Sequence, residues 1–345
     1  MTRRAPRSAR RFLLLAPSIC AVLAACSPQP REYLFSGPAM GTQYNIKVVA
    51  VLSARELQAV DQAIRDVLAA LDTKLSNYRP DSELSRFNQD TSCQPFALSP
   101  ETEQVFRIAL RIARESGGAF DITVGPLVDA WGFGPHPAAQ PPGDAELAAL
   151  RERVGYQHLE WAGEHAIRKK RPEIQCDFSA LGPGYGVDCI ARALEQRGIH
   201  RYMAELGGEV LAKGLNAGGV PWRIGIERPV SGEEESIQRT VHLRDMAVAT
   251  SGDYRNYREV NGVRYSHHID PATGRPLTHP LASVSVLHPH CAEADAYATT
   301  LMVLGPDKGL AFAEAQHLPA YFIVHKEGGF EERATPDFAQ YEQAR

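Results

Sequence analysis

Between Arg201 and His288 the chain breaks repeatedly into short runs rich in β-branched and apolar residues, separated by turn formers: RYMAELG (201–207), EVLAKG (209–214), WRIGIE (222–227), TVHLR (240–244), MAVATS (246–251) and LASVSVLH (281–288). This pattern predicts strands of a largely antiparallel sheet. QYNIKVVA (43–50) adds an early strand and YFIVHK (321–326) a final one. Helical signals are interspersed. Ser53-Ala54-Arg55-Glu56 is a capping box, and Leu57, Val60, Ile64, Val67, Leu68 and Leu71 follow at three- and four-residue spacing, which buries one stripe. Ser99-Pro100 opens a second helix that stops at Gly117-Gly118. Others are predicted at 144–154, at 185–197 closed by Gly198, at 292–303 and at 306–316. Strands and helices in this mixed order define an α+β fold, either one large domain or two intimately joined subdomains. The Pro/Gly-rich GFGPHPAAQPPGD (132–144) reads as an exposed excursion.

The N-terminus sets the compartment. MTRRAPRSARRFLLLAPSICAVLAAC carries five arginines and no acidic residue, then an apolar run, then Leu23-Ala24-Ala25-Cys26. That is the layout of a secretory signal. The apolar run is interrupted by Pro17 and falls short of the ~20 residues that a membrane-crossing helix needs. Small residues before Cys26 resemble a lipobox, so Cys26 is expected to be acylated and to anchor the mature chain to a membrane of the cell envelope, facing the periplasm. An ordinary soluble signal is the alternative, and Arg10-Arg11-Phe12-Leu13 leaves a twin-arginine route open. Removing residues 1–25 takes the formal charge from −4 to −9, since five of 37 basic residues and none of 41 acidic ones leave. An acidic body argues against nucleic acid as a partner. Cys93, Cys176, Cys189 and Cys291 remain, with three possible pairings and no zinc-type spacing, so they are expected to be buried thiols or a disulfide.

Several segments combine glycine with polar groups beyond what packing requires: Met40-Gly41-Thr42, LSNYRPDSELSRFN (75–88), GGAFDITVGPLVDAWGFGP (117–135), DFSALGPGYGVD (177–188), ELGGEV (205–210), SGDYRNY (251–257), YSHHIDPATGRPL (265–277) and EADAYATTLMVLG (293–305). In this order, over about residues 35–325, they resemble the ApbE family of FAD:protein FMN transferases. Domain limits follow: a lipoprotein signal over 1–25, a tether over 26–34, the transferase domain over 35–330 and a C-terminal tail over 331–345.

Asp295 and Thr299 stand four apart on a predicted helix, so a carboxylate and a hydroxyl share one face, and hard oxygens of this kind suit Mg²⁺. The resemblance places the metal there and adds the carbonyl of Ala180. Some family members carry Asp where this chain has Ala298, which would leave the ion one carboxylate fewer. For the flavin the resemblance implies Met40, Tyr78, Ala119, Phe120, Asp121, Asp177 and Ile269, and also the position of Pro183, where the family usually has Lys or Glu. Read on residue type alone, Tyr78, Phe120 and Ile269 are ordinary core residues. Gly182, Gly184 and Gly186 would allow close approach to a diphosphate, although GPGYG is not the Gly-x-Gly-x-x-Gly of a Rossmann loop.

His267 precedes the turn-forming Ile269-Asp270-Pro271-Ala272-Thr273-Gly274, and a histidine fixed there can act as general base toward a hydroxyl. Asp270 itself reads as a turn residue, and His268, next along a strand, is expected to face away. The implied reaction is displacement at the FMN-side phosphorus of FAD by a Ser or Thr hydroxyl of a target protein, releasing AMP, with Mg²⁺ as cofactor. Two other readings use the same residues: hydrolysis of FAD to FMN and AMP, and a non-enzymatic exported flavin-binding lipoprotein.

Overall fold

A computed structural model of the chain describes residues 1–2, 29–230, 236–254, 256–260 and 262–342. Apart from Met1 and Thr2, the segment 1–25 expected to be an export signal lies outside the described residues, as does Cys26.

The chain begins with β1 (Arg31–Ala39) and β2 (Thr42–Ala50), joined at Met40 and Gly41, both at positive φ (49° and 77°). The capping box is present as expected: the Ser53 hydroxyl accepts from the Glu56 amide, the Glu56 carboxylate accepts from the Ser53 amide, and α1 (Ala54–Leu75) follows. A mostly helical lobe comes next, with α2 (Glu83–Gln89), β3 (Phe96–Ala97), α3 (Pro100–Glu115), α4 (Gly125–Trp131), α5 (Asp144–Arg151), β4 (Leu159–Trp161) and β5 (Ala166–Lys169). From α6 (Gly182–Glu195) the chain returns to the main sheet through β6 (Tyr202–Leu206) and β7 (Glu209–Lys213), then makes a hairpin of β8 (Trp222–Glu227) and β9 (Ile237–Leu243). After β10 (Met246–Gly252), four short strands, β11 (Tyr257–Val260), β12 (Val263–Ser266), β13 (Ile269–Asp270) and β14 (Arg275–Pro276), form two small ribbons. The chain closes with β15 (Leu281–His288), α7 (Cys291–Ala315), β16 (Ala320–Lys326) and β17 (Gly329–Ala334).

Eight strands make the main sheet, in the order β1-β2-β6-β7-β10-β15-β16-β17. Every pairing among the described residues is antiparallel, in keeping with the expected α+β class. One face packs on α1, α6 and α7, where Val60, Ile64 and Leu68 of the predicted stripe meet Ile46 and Tyr202. The other is covered by Trp222, Ile226, Val241 and Leu243 of the β8–β9 hairpin and by Phe338. Because both faces are covered, the interior strand β15 is buried along nearly its whole length, and the polar residues that alternate with its valines are the small Ser283 and Ser285, both buried.

Three expectations need correction. The segment assigned to the tether is partly sheet, since β1 starts at Arg31 and pairs with β2 along its full length. The C-terminal segment is no loose tail: β17 extends the sheet, and Phe338 is buried with its ring stacked on Tyr321 at 5.2 Å. α6 starts at Gly182 rather than near Tyr185, with Pro183 in the first turn, where a missing amide costs nothing. The 132–144 segment is an excursion as expected, exposed at His136, Pro137, Ala139, Gln140, Gly143 and Asp144, and Arg258 pins it by donating to the carbonyls of Ala138 (2.8 Å) and Ala139 (2.6 Å). The predicted break between the last two helices is real: Gly305 interrupts α7 at φ 78°, and a side chain there would meet the His279 ring.

Two glycines of GPGYG serve packing. A Cβ on Gly184 would lie 2.5 Å from the Cys291 carbonyl and 2.9 Å from the Asp295 Cβ, and one on Gly186 would lie 2.7 Å from Leu206. Only Gly182 has open space at that position. Gly184→Ala is therefore expected to push α6 off α7 and lower stability by about 1–3 kcal/mol in urea unfolding. Gly182→Ala, the control, is expected to stay near wild type.

Candidate active site

A cavity of about 440 Å³ opens between the helical lobe, the α6–α7 pair and the main sheet. Its floor is built on α7. Asp295, in the second turn, is buried and its Oδ2 accepts the Gly184 amide at 3.1 Å. One turn on, the Thr299 hydroxyl is 3.3 Å from that of Ser251 on β10. Ala180, just before α6, lines the same space. Burial, and to a lesser degree the nearby Asp188 charge, push the Asp295 carboxyl up to about 7, against the opposing Gly184 hydrogen bond. A carboxylate, a hydroxyl and a carbonyl in one cavity form a hard-oxygen set, and among the described residues no group of three or more His, Cys, Asp or Glu could hold a metal. Such a set fits Mg²⁺, which is commonly held by one or two carboxylates together with substrate phosphates and water, and is unlike a zinc site.

The wall from the helical lobe is a loop tied to itself. Gly117 and Gly118 end α3 at positive φ, and the Asp121 carboxylate then accepts from the Thr123 amide (2.8 Å), the Thr123 hydroxyl (2.6 Å) and the Tyr156 amide (2.7 Å). Burial raises its pKa while these bonds oppose the rise. Ala119, Phe120 and Asp121 thus line the cavity, with the Asp121 carboxylate engaged in shaping the loop. Asp177 is fixed similarly: its amide donates to the Ile122 carbonyl at 2.7 Å and its carboxylate accepts from the Ser179 amide at 2.7 Å. Behind it, the Asn88 side chain pairs with both backbone groups of Cys176 (2.7 and 2.8 Å). The buried Lys169 ammonium donates to the Asn88 and Ile174 carbonyls, both at 3.1 Å. Burial raises the Asp177 pKa as well.

At the mouth, Tyr78 is 64% exposed and its hydroxyl donates to the Phe133 carbonyl at 3.3 Å. His267 is half-buried between β12 and β13, edge-on to Phe133 with ring centroids 6.3 Å apart. Its Nδ1 lies 2.8 Å from the Asn256 carbonyl. A carbonyl only accepts, so Nδ1 carries the hydrogen and Nε2 keeps its lone pair. Burial lowers the His267 pKa, partly offset by the Asn256 bond. Asp270 is a turn residue as expected, its carboxylate accepting from the Ala272 amide (2.9 Å) and the Thr273 hydroxyl (3.0 Å). Ile269 lines the cavity and packs with Leu127, Trp131 and Leu147.

The cavity therefore brings together His267, Tyr78, Ala119, Phe120, Asp121, Asp177, Ile269, Ala180, Asp295 and Thr299. Met40 and Pro183 are not part of its wall. Met40 packs between two core clusters near Gly186, and Pro183 occupies the first turn of α6. His268 does not face away. The strand ends at Ser266, so both histidines reach the cavity, with rings 3.9 Å apart. Ser251, Asn256 and Glu209 also line it and were not singled out from the sequence, although the segments holding them, SGDYRNY and ELGGEV, were.

Comparison with known proteins places this architecture. The chain belongs to the ApbE family, whose family model matches residues 40–322. Among its relatives is the FAD:protein FMN transferase of Vibrio cholerae, 46% identical over 331 residues that span 95% of this chain and 98% of that protein. The solved structure of the flavin transferase ApbE from Vibrio cholerae matches with a TM-score of 0.83 at 44% identity, covering 90% of this chain and 99% of that one. The apo form of Pseudomonas stutzeri flavinyl transferase ApbE matches at 0.82 and 36% identity, covering 91% and 98%.

His268 is buried, and that burial, then the His267 and His279 charges, lower its pKa well below 6.5. The unfolded chain takes up this proton first, so the stability from keeping His268 neutral is complete above about pH 6.5 and is lost as pH falls through the folded-state pKa. His268→Gln is expected to flatten the decline of melting temperature between about pH 6.5 and 5. An unchanged decline would mean that other groups carry the acid sensitivity.

Proposed function

We propose that this chain transfers the FMN moiety of FAD to a Ser or Thr hydroxyl of a target envelope flavoprotein, with Mg²⁺ as cofactor, while anchored to the membrane through a lipid on Cys26 and facing the periplasm. The observation that carries this reading is one cavity holding both a hard-oxygen set and, at its open rim, a histidine whose Nε2 is free to accept a proton. Close likeness to FAD:protein FMN transferases over nearly the whole chain supports the reaction.

In this reading the diphosphate of FAD lies toward α7, and the flavin lies against the wall formed by Ala119 to Asp121, Asp177 and Ile269. Asp295, Thr299 and the Ala180 carbonyl would hold Mg²⁺, which would supply charge neutralisation at the diphosphate. The acceptor hydroxyl comes in at the rim, where a protein segment has access. His267 takes its proton at Nε2 as the oxygen bonds to the FMN-side phosphorus, and the bond from that phosphorus to the oxygen bridging toward AMP breaks. AMP leaves with that oxygen. The tautomer set by Asn256 keeps Nε2 ready to accept.

The test is to mix the protein, FAD, Mg²⁺ and candidate envelope flavoproteins and to read flavin bound to the acceptor by in-gel fluorescence. His267→Ala is expected to bind FAD normally and lose about 10²–10⁴-fold in single-turnover transfer. The base works only when neutral and burial lowers its pKa, so at Mg²⁺ concentrations high enough to outcompete the proton on Asp295, wild-type transfer should persist below pH 6.5 and fall only at more acid pH. Near-normal single-turnover transfer by the alanine variant would remove His267 from the mechanism. Release of FMN and AMP without labelled acceptor would assign hydrolysis instead.

A further inference from the structure

Neither of the two helices that frame the floor caps its own N-terminus. Leu181 stands at the cap position of α6 and His290 at that of α7, and neither provides a side-chain cap bond. The free amides of a helix start need partners when buried. Here each helix supplies the other. Asp295 of α7 accepts the Gly184 amide in the first turn of α6 at 3.1 Å. Asp188 of α6 accepts the first two amides of α7, from Cys291 onto Oδ1 at 2.9 Å and from Ala292 onto Oδ2 at 3.0 Å. Both carboxylates are buried, and each also sits at the favourable positive end of the other helix's dipole.

Asp188 does not line the cavity. Its two bonds nevertheless fix the depth and rotation of the first turn of α7, and Asp295 and Thr299 are the next groups along that face. We propose that Asp188 is a positioning residue: it holds α7 in register with α6 so that the Asp295 carboxylate and Thr299 hydroxyl stand where a divalent cation can take both. The proposal rests on the cation reading given above, and it concerns a residue outside that ligand set. A carboxylate is needed because both amides are held, one per oxygen. An asparagine of the same shape offers one acceptor, and its NH₂ group would oppose the second amide.

The experiment uses Mn²⁺, visible by electron paramagnetic resonance, as the probe for the Mg²⁺ site, with melting temperature and turnover measured on the same preparations. Asp188→Asn is expected to bind Mn²⁺ about 10–100-fold more weakly, the usual scale for groups that orient a ligand. Turnover at saturating Mn²⁺ should stay close to wild type, so the loss falls on metal affinity. A second variant, Asp188→Asn with His290→Ser, gives α7 a local cap. It should recover thermal stability without recovering Mn²⁺ affinity, and it carries the same measurement if the single variant does not fold. Wild-type Mn²⁺ affinity in Asp188→Asn would overturn the proposal, as would affinity and stability returning together in the double variant, which is the behaviour of a cap alone. A wild-type protein that takes up no Mn²⁺ would instead overturn the cation reading, and the positioning role with it.

Discussion

The backbone of α6 at Gly184 lies against the Cys291 carbonyl and the Asp295 Cβ, with no room for a methyl group between them. This contact determines the cavity floor. Helices with ordinary side chains at the crossing keep their axes about 8–10 Å apart; a glycine lets backbone touch backbone, and only then can the Asp295 carboxylate reach the first turn of the neighbouring helix. Ala180 precedes that turn, so the carbonyl it offers and the carboxylate on α7 meet through the same contact. The sheet completes the arrangement from below. β10 and β15 pair directly beneath α7, and β10 brings Ser251 to Thr299.

Four buried aspartates surround or support the site, and each is held the same way. Asp121, Asp177, Asp188 and Asp295 all accept backbone amides, and burial raises the pKa of every one. Burying a carboxylate is costly unless hydrogen bonds replace the lost water. Three of them spend their oxygens on loops and helix starts, which gives an irregular wall the rigidity that a regular element would have. Asp295 differs in its company: it shares the cavity floor with the Thr299 hydroxyl and Ala180, so a cation there would meet a carboxylate already fixed in place beside other hard oxygens.

Local rules made the regular elements legible. The capping box at Ser53, the proline start at Pro100, the glycine break at Gly305 and the β-branched runs after Arg201 each act within a few residues, and the structure shows them where expected. Of the residues implied by the family resemblance, all but Met40 and Pro183 line the cavity. Three features depended on contacts far apart in sequence. Gly184 and Gly186 looked like phosphate-loop glycines, since nothing local reveals that Cys291 and Leu206 press against them. Alternation along a strand would send His268 outward, but the strand stops at Ser266, so both rings turn inward. By sequence the C-terminal segment reads as a tail outside the transferase domain, yet Phe338 closes a core cluster under the far face of the sheet.

The early start of β1 has a mechanical meaning. Only residues 27–30 separate Cys26 from the first residue of the sheet, Arg31. Even fully stretched, a leash of this length reaches at most ~18 Å, at about 3.6 Å per residue. With an acyl group on Cys26, as proposed, the body cannot roam the compartment in search of acceptors. It hangs just above the bilayer and sweeps a thin layer, so an acceptor hydroxyl has to be presented within that layer. Selection among acceptors would then begin with altitude, before any side chain is recognised.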